Sequence, residues 1–222
     1  MENILKIEKI EKYYGNKSSL TKAIDNISFS VDKGEFIAII GASGSGKTTL
    51  LSLLSGLDTI EEGDILYNGE SIKKIGYNKY RNSYVNIIFQ SYNLIPYMTA
   101  YENVEVALDI AGIKLSKEDK KEKILSTLNE LGIDNSAAFR TVLKLSGGEQ
   151  QRVAIARCLV TDIPFIMADE PTGNLDEDTE KKIIDIFKKL AKQGKGVIVV
   201  THSKELAESS DKIYHIKGGG VY

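Results

Sequence analysis

The stretch Gly41-Ala42-Ser43-Gly44-Ser45-Gly46-Lys47-Thr48-Thr49 constrains the fold more than any other part of the chain. It follows the apolar run Phe36-Ile37-Ala38-Ile39-Ile40 and precedes Leu50-Leu51-Ser52-Leu53-Leu54. Strand, glycine-rich turn and helix is the context in which G-x-x-x-x-G-K-[ST] becomes a phosphate site. The glycines let the backbone curl so that its N–H groups point inward and form a concave anion cradle. A helix starting at the same place adds unpaired N–H donors and the positive end of its dipole. In such a cradle Lys47 reaches the terminal phosphates as a point charge, and the Thr48 hydroxyl holds Mg²⁺. Gly41, Ala42, Ser43, Gly44, Ser45, Gly46 and Thr49 supply the rest of the predicted phosphate contact.

The totals bound what surrounds this loop. A chain of 222 residues suffices for one α/β domain, or for a core with an inserted subdomain. With 42% hydrophobic and 27% charged residues it reads as soluble and globular. A net charge of −2 provides no field that would favour nucleic acid or an anionic membrane. Basic pairs such as Lys120-Lys121 sit among acids and read as solvated helix faces. The single cysteine, Cys158, excludes an intramolecular disulfide and fits a small buried hydrophobe in a helix. Two histidines and one cysteine exclude a standard zinc cluster. Met1-Glu2-Asn3-Ile4 has no signal pattern, and no stretch approaches the ~18 apolar residues of a membrane span. A role at a membrane therefore requires another chain to carry the protein there.

Two kinds of strand are predicted. Ile27-Ser28-Phe29-Ser30-Val31 alternates strictly, residues 4–10 are apolar-rich, and Ile65-Leu66-Tyr67 leads into the hairpin signal Asn68-Gly69. These pieces suggest a small antiparallel layer. Phe36–Ile40, Asn86–Phe89, Phe165–Ala168 and Val197–Val200 are apolar without alternation, as strands buried on both faces of a parallel sheet are. Helical segments near each argue for βαβ units. From 99 to about 160 the pattern is mostly helical. Thr99 with Glu102 forms a capping box, followed by Val104, Ala107, Leu108 and Ala111 and closed by Gly112. Ser116 with Asp119 starts a second helix, with Ile124, Leu125, Leu128 and Leu131 on its apolar face and Gly132 at its end. Gly218-Gly219-Gly220 reads as a turn.

Leu145-Ser146-Gly147-Gly148-Glu149-Gln150-Gln151-Arg152 is the second informative stretch. Ser146 and Glu149 have capping-box spacing, and Gly147 and Gly148 leave backbone N–H groups open at a helix start. The chain thus offers two helix starts suited to phosphate, about a hundred residues apart.

Leu145–Glu149 resembles the signature of the ATP-binding cassette (ABC) ATPases, and the other motifs of that family follow in order over nearly the whole chain. The resemblance implies an α/β P-loop NTPase fold. Its RecA-like core has a mainly parallel sheet, an antiparallel β subdomain and an inserted α-helical subdomain. Residues 1–90 and 161–222 then form the nucleotide-binding core and 91–160 the helical signature subdomain of one domain, 1–222. Phe165–Glu170 is similar to the Walker B pattern: Asp169 would hold Mg²⁺, directly or through water, and Glu170 would orient or deprotonate the attacking water. Gln90 matches the Q-loop glutamine, which coordinates Mg²⁺ or water and senses the γ-phosphate; taken alone it is a surface glutamine. His202 resembles the switch histidine that contacts the γ-phosphate, although a lone histidine at a strand end is usually structural. Gly173-Asn174-Leu175-Asp176 corresponds to the D-loop, while Asp176 also suits the N-cap of a helix beginning at Glu177. Tyr14 matches the aromatic that stacks on adenine, with Tyr13 as the alternative.

The family resemblance further implies ATP and Mg²⁺ as cofactors and a head-to-tail dimer with a second copy of the chain. Ser146, Gly147, Gly148, Glu149 and Asp176 would then act in trans on the partner's nucleotide. It also implies an integral membrane permease as partner, a place at the cytoplasmic face of the cell membrane, no direct membrane insertion and no nucleic acid. Phe89–Pro96, Thr99–Val104 and Asp169–Asp176 resemble the macrolide-export and lipoprotein-release (MacB- and LolD-like) branch, although Val142-Leu143-Lys144 stands where that branch usually has a proline. Tyr92, Leu94, Ile95, Tyr97, Met98 and Tyr101 form a candidate docking surface for the permease, or else pack within the helical subdomain. Two other function classes remain in view: a cassette that regulates a membrane or nucleic-acid complex without transport, and a P-loop kinase or GTPase. The signature and the missing guanine-recognition motif argue against the last.

Overall fold

A computed structural model describes residues 3–15, 21–173 and 175–222. The D-loop position Asn174 lies outside the described residues. In chain order, β1 (Asn3–Tyr14) and β2 (Thr21–Asp32) precede β3 (Phe36–Gly41), which runs into α1 (Lys47–Leu54). Next come β4 (Glu62–Tyr67), β5 (Glu70–Ser71), α2 (Ile72–Ile75), α3 (Tyr77–Tyr84) and β6 (Val85–Ile88). Four α-helices intervene before the next strand, α4 (Ala100–Ile110), α5 (Lys117–Glu130), α6 (Asn135–Ala138) and α7 (Gly147–Leu159), with a 3-10 turn at Val142–Lys144 before α7. After β7 (Phe165–Asp169) follow α8 (Glu177–Lys192), β8 (Gly196–Val200), α9 (Lys204–Glu208), β9 (Lys212–Lys217) and β10 (Gly220–Val221).

The two kinds of strand form two sheets. Four strands in the order β2-β1-β4-β5 are all antiparallel, and Asn68 and Gly69, both at positive φ, turn β4 into β5. Six strands in the order β10-β9-β3-β8-β7-β6 make the second sheet, parallel except at the β10 edge. The absence of alternation in its central strands has a direct cause. In β8, Val197 and Val199 face one core with α7 and α8, whereas Ile198 and Val200 face the other, with α1 and the antiparallel sheet. Both faces of the sheet are thus removed from water, and every position must be apolar.

The sequence did not announce β9. Lys212-Ile213-Tyr214-His215-Ile216-Lys217 pairs in parallel with β3, yet only Ile216 is fully buried, so the strand lacks an apolar run. Gly220, expected in a turn, is the first residue of β10, and the turn itself is Gly218-Gly219.

The capping box of α4 is formed as the sequence predicts. Glu102 N donates to Thr99 Oγ1 (3.1 Å) and Thr99 N donates to Glu102 Oε2 (2.7 Å). Both bonds satisfy first-turn N–H groups that the helix itself cannot. Thr99→Ala is therefore expected to lower stability by about 1 kcal/mol, read by chemical denaturation, and an unchanged midpoint would contradict that role for the cap.

Candidate nucleotide site

Parallel strands bring their carboxyl ends to one edge, where ligands of α/β sheets bind. At that edge a cleft of roughly 710 Å³ is lined by Ser43–Thr49, Gln90, Asp169, Glu170, Gly173 and His202, and by Thr21–Ala23 and Gly218-Gly219 from the flanking strands. The structure therefore gathers the phosphate loop, Gln90, Asp169, Glu170 and His202 into one place.

The loop is held by close backbone packing on two sides. A Cβ at Gly41 would stand 2.4 Å from Ile216 O, and one at Gly46 would stand 2.6 Å from Ala23 O. Gly46 also has φ +106°, a left-handed conformation at the N-cap of α1. Lys47 is buried, and its ammonium folds back to donate to Gly41 O and Ala42 O, both at 2.9 Å. The lysine thus bonds the loop's own carbonyls, while Lys47, Thr48 and Thr49 of the first turn of α1 line the cleft.

Thr48 Oγ1 donates to Asp169 Oδ2 at 3.1 Å. Burial pushes the Asp169 carboxyl above its usual range, against the pull of the Thr48 hydroxyl and the Lys47 charge. Two hard oxygen donors side by side fit a small divalent cation that takes its remaining ligands from phosphate and water. Among the described residues no cluster of three or more His, Cys, Asp or Glu exists that would cage a metal by itself.

Glu170 has φ +48°, rare for a residue with a side chain, and its N–H donates to Val200 O at 2.9 Å. That bend ends β7 and turns the carboxylate toward β8. Its Oε2 accepts the His202 N–H at 3.1 Å, and His202 Nε2 stands 3.3 Å from Oε1. The second contact lies off hydrogen-bond geometry, so the buried Oε1 has no hydrogen-bond donor among the described residues. A strained backbone and an unserved carboxylate oxygen in a cleft mark a site kept for a further group.

Other expected residues stand apart. Ser146–Glu149 and Asp176 are not among the residues that line this cleft. Ser146 caps α7 with the predicted box: Glu149 Oε2 accepts the Ser146 N–H at 2.8 Å, and this bond holds the Glu149 carboxyl below its usual range. Gly147 and Gly148 occupy the first turn, whose N–H groups lack intrahelical acceptors. Asp176 caps α8 by accepting the Thr179 N–H at 3.0 Å. Tyr14 is 46% exposed, with its hydroxyl donating to Asp58 Oδ2 at 3.0 Å, while the Tyr13 hydroxyl bonds Glu11. Cys158 is buried, which pushes its thiol up to about 12.

The segment after Gln90 is anchored by residues that the sequence did not single out. Buried Asn103 accepts Ile95 N–H at 2.8 Å and donates to Thr99 O at 3.0 Å. Arg157 donates to Asn93 O (2.6 Å) and Tyr92 O (3.1 Å), which ties the segment to α7. No local pattern marks either residue, because their partners are distant or irregular. Of the expected aromatic surface, Tyr97 (86%) and Ile95 are exposed, but Leu94 and Tyr101 pack against the core, and Tyr101 stacks on Phe139 at 5.4 Å. That surface is therefore narrower than the sequence suggests.

A glycine-rich strand–loop–helix at the carboxyl edge of a parallel sheet, with an Asp-Glu pair facing it, defines a P-loop nucleoside-triphosphatase fold. The family model described as ABC transporter matches residues 24–173. The ABC transporter ATP-binding protein YclH of Bacillus subtilis is 49% identical over 94% of this chain and 91% of its own. The lipoprotein-releasing system ATP-binding protein LolD of Aquifex aeolicus is 42% identical over 100% of this chain and 97% of its own. The macrolide export ATP-binding/permease protein MacB of Hyphomonas neptunium is 35% identical over 98% of this chain but 34% of its own length. Among solved structures, the dimeric bacterial ABC transporter cassette MJ0796 superimposes with a TM-score of 0.92 at 36% identity, covering 98% of this chain and 96% of that one. The same cassette is also known in a dimeric post-hydrolysis state bound to ADP and Pi. The chain belongs to the ABC transporter family, as an ATP-binding cassette and an ATPase.

The space around Gly46 gives a test of the loop. Gly46→Ala sets a Cβ against Ala23 O in a left-handed conformation, and is expected to cost about 2 kcal/mol or more. Thermal denaturation of the nucleotide-free protein reads this, and an unshifted transition would contradict the packing.

Proposed function

We propose that this chain works as one half of a head-to-tail pair that closes around two ATP–Mg²⁺ and drives a separate membrane permease. The observation that carries the reading is the separation of the two phosphate-suited helix starts. One, at Lys47, opens into the cleft; the other, at Ser146, does not line it. A site that needs both is completed by Ser146, Gly147, Gly148 and Glu149 of a second copy, with Asp176 crossing beside them. A two-fold pair makes the two composite sites equivalent, and the related cassette of known structure is a dimer.

Each residue then has a part. Lys47 leaves the carbonyls of Gly41 and Ala42 for the β- and γ-phosphates, and loop N–H groups from Gly41 to Thr49 cradle them. Thr48, Asp169 and Gln90 would hold Mg²⁺, which draws negative charge from the phosphate oxygens. Glu170 orients the attacking water and takes its proton as the water oxygen bonds to the γ-phosphorus and the bond to the ADP oxygen breaks. His202 holds Glu170 in place and faces the γ-phosphate. Tyr14 stacks on adenine. Phosphate release removes the charge that joined the two halves, and they reopen.

The permease contact belongs on the segment after Gln90. Tyr97 stands free there, and Ile95 borders a groove of about 270 Å³ with Ile87, Val106, Ala107 and Ile110, between the core and residues 91–160. Among the described residues no helix is long and apolar enough to cross a membrane, so attachment at the cytoplasmic face would run through the permease. Likeness to LolD and MacB favours lipoprotein extraction or export of a drug or antimicrobial peptide as the driven process.

Two experiments test this. Glu170→Gln removes the base but keeps shape, and should slow turnover by about a hundredfold or more while giving a stable dimer with ATP–Mg²⁺ in light scattering. A monomer at saturating nucleotide would overturn the pairing. Tyr97→Ala is expected to weaken co-purification with the permease about tenfold, the loss of one exposed aromatic anchor; undiminished recovery counts against docking there.

A further inference from the structure

Lys12 is a lysine in a buried place. It lies on β1, is only 6% exposed, and sends its ammonium to Asp58 Oδ1 (3.0 Å), Thr59 O (3.1 Å) and Glu61 Oε1 (3.4 Å). An apolar side chain of similar length would fill this space without the cost of desolvating a charge. Burial works against the Lys12 charge, but Asp58 and Glu61 outweigh it and hold its pKa above the ordinary value. Burial likewise raises the Asp58 carboxyl, and Lys12, the Thr59 N–H and the Tyr14 hydroxyl outweigh that too, leaving it below the usual range. The pair is therefore ionised at neutral pH.

What the pair holds is Tyr14. One Asp58 oxygen takes the lysine, and the other accepts the Tyr14 hydroxyl at 3.0 Å. The same ammonium lies over the Tyr14 ring, 5.4 Å from its centroid. A cation on one face and a hydrogen bond at the tip fix both the plane and the rotation of the ring. The ring is still 46% exposed. Asp58 is in turn set by the end of α1, since the N–H groups of Leu57 and Asp58 donate to Ser52 O at 2.9 and 3.1 Å. That helix begins at the phosphate loop. A single short helix thus carries the phosphate cradle at its start and the anchor of the aromatic ring just beyond its end.

We propose that Lys12 and Asp58 are positioning residues that hold Tyr14 ready to stack on the nucleobase at a fixed distance from the phosphate loop. The proposal rests on Tyr14 as the base-stacking aromatic. Its consequence is specific: the pair contributes to binding of a nucleotide with a base and not to binding of a bare phosphate chain. Ordering a free aromatic side chain at the moment of binding would weaken affinity about three- to tenfold.

The test uses calorimetric titration of the whole protein with Mg²⁺ and either ATP, ADP or inorganic tripolyphosphate. The variants are Lys12→Met, Asp58→Asn, Tyr14→Phe and Tyr14→Ala. Lys12→Met, Asp58→Asn and Tyr14→Phe are expected to weaken ATP and ADP about three- to tenfold and to leave tripolyphosphate within about twofold. Tyr14→Ala is expected to weaken ATP about tenfold or more, since base–aromatic stacking is lost outright. If Tyr14→Ala loses ATP affinity while the other three match the unaltered protein, the positioning role is overturned and the stacking residue stands. If Tyr14→Ala binds ATP as before, the stacking assignment falls and the positioning role with it. A parallel loss of tripolyphosphate would place the effect on the phosphate loop or the fold, and also overturns the proposal. Tyr14→Phe, which leaves the ion pair and the ring intact, keeps the test decisive if Lys12→Met folds poorly.

Discussion

The architecture depends on how tightly the phosphate loop is wedged between two other pieces of backbone. At Gly41 the carbonyl of Ile216 occupies the space of a side chain, and at Gly46 the carbonyl of Ala23 does so. Ile216 belongs to the parallel sheet and Ala23 to the antiparallel one. The loop is therefore packed against backbone from both sheets. The turn after β9 closes the same junction, since Gly219 N donates to Ser45 O (3.3 Å) and Gly219 O accepts from Asp25 N (2.9 Å). A loop held from both sides keeps its N–H groups aimed at a ligand without paying for their ordering on binding.

A second consequence follows from the parallel sheet. β7 and β8 are neighbours, so residues just past their ends lie side by side although 32 positions separate them. This brings Glu170 to His202. The left-handed bend at Glu170 turns the chain so that its carboxylate stays at the edge and does not continue the strand. Thr48 reaches Asp169 for the same reason, from α1 stacked on the sheet. The polar edge of the cleft is thus a product of strand order.

Much of this was legible in the chain. The phosphate loop, the four buried strands, the caps at Thr99, Ser116 and Ser146 and the hairpin at Asn68 are local signals, each set within a few residues. What escaped was long-range or half-buried. β9 has too few apolar positions to show. Asn103 and Arg157 look like ordinary helix-surface residues until the loop they hold is seen. Lys12 reads as a charge on a strand, because its partners Asp58 and Glu61 are 46 and 49 positions away. For Tyr101 and Leu94 the chain leaves docking and packing equally open, and the packing outcome depends on Phe139 and the helices around it.

The division of labour along α1 also bears on the half-site character of the cleft. Its start is the glycine loop that lines the cleft, and beyond its end Asp58 accepts the Tyr14 hydroxyl, so loop and ring stand along a single rigid element. Across the cleft, Glu170 Oε1 is buried without a hydrogen-bond donor among the described residues. A buried carboxylate oxygen of this kind is suited to accept from a bound water, as the base of a hydrolysis must. The first-turn N–H groups at Gly147 and Gly148, capped but unspent, are donors of the right kind, and they sit on α7, away from their own cleft. In the proposed head-to-tail pair these N–H groups of one copy would face the cleft of the other, and both composite sites would be equivalent.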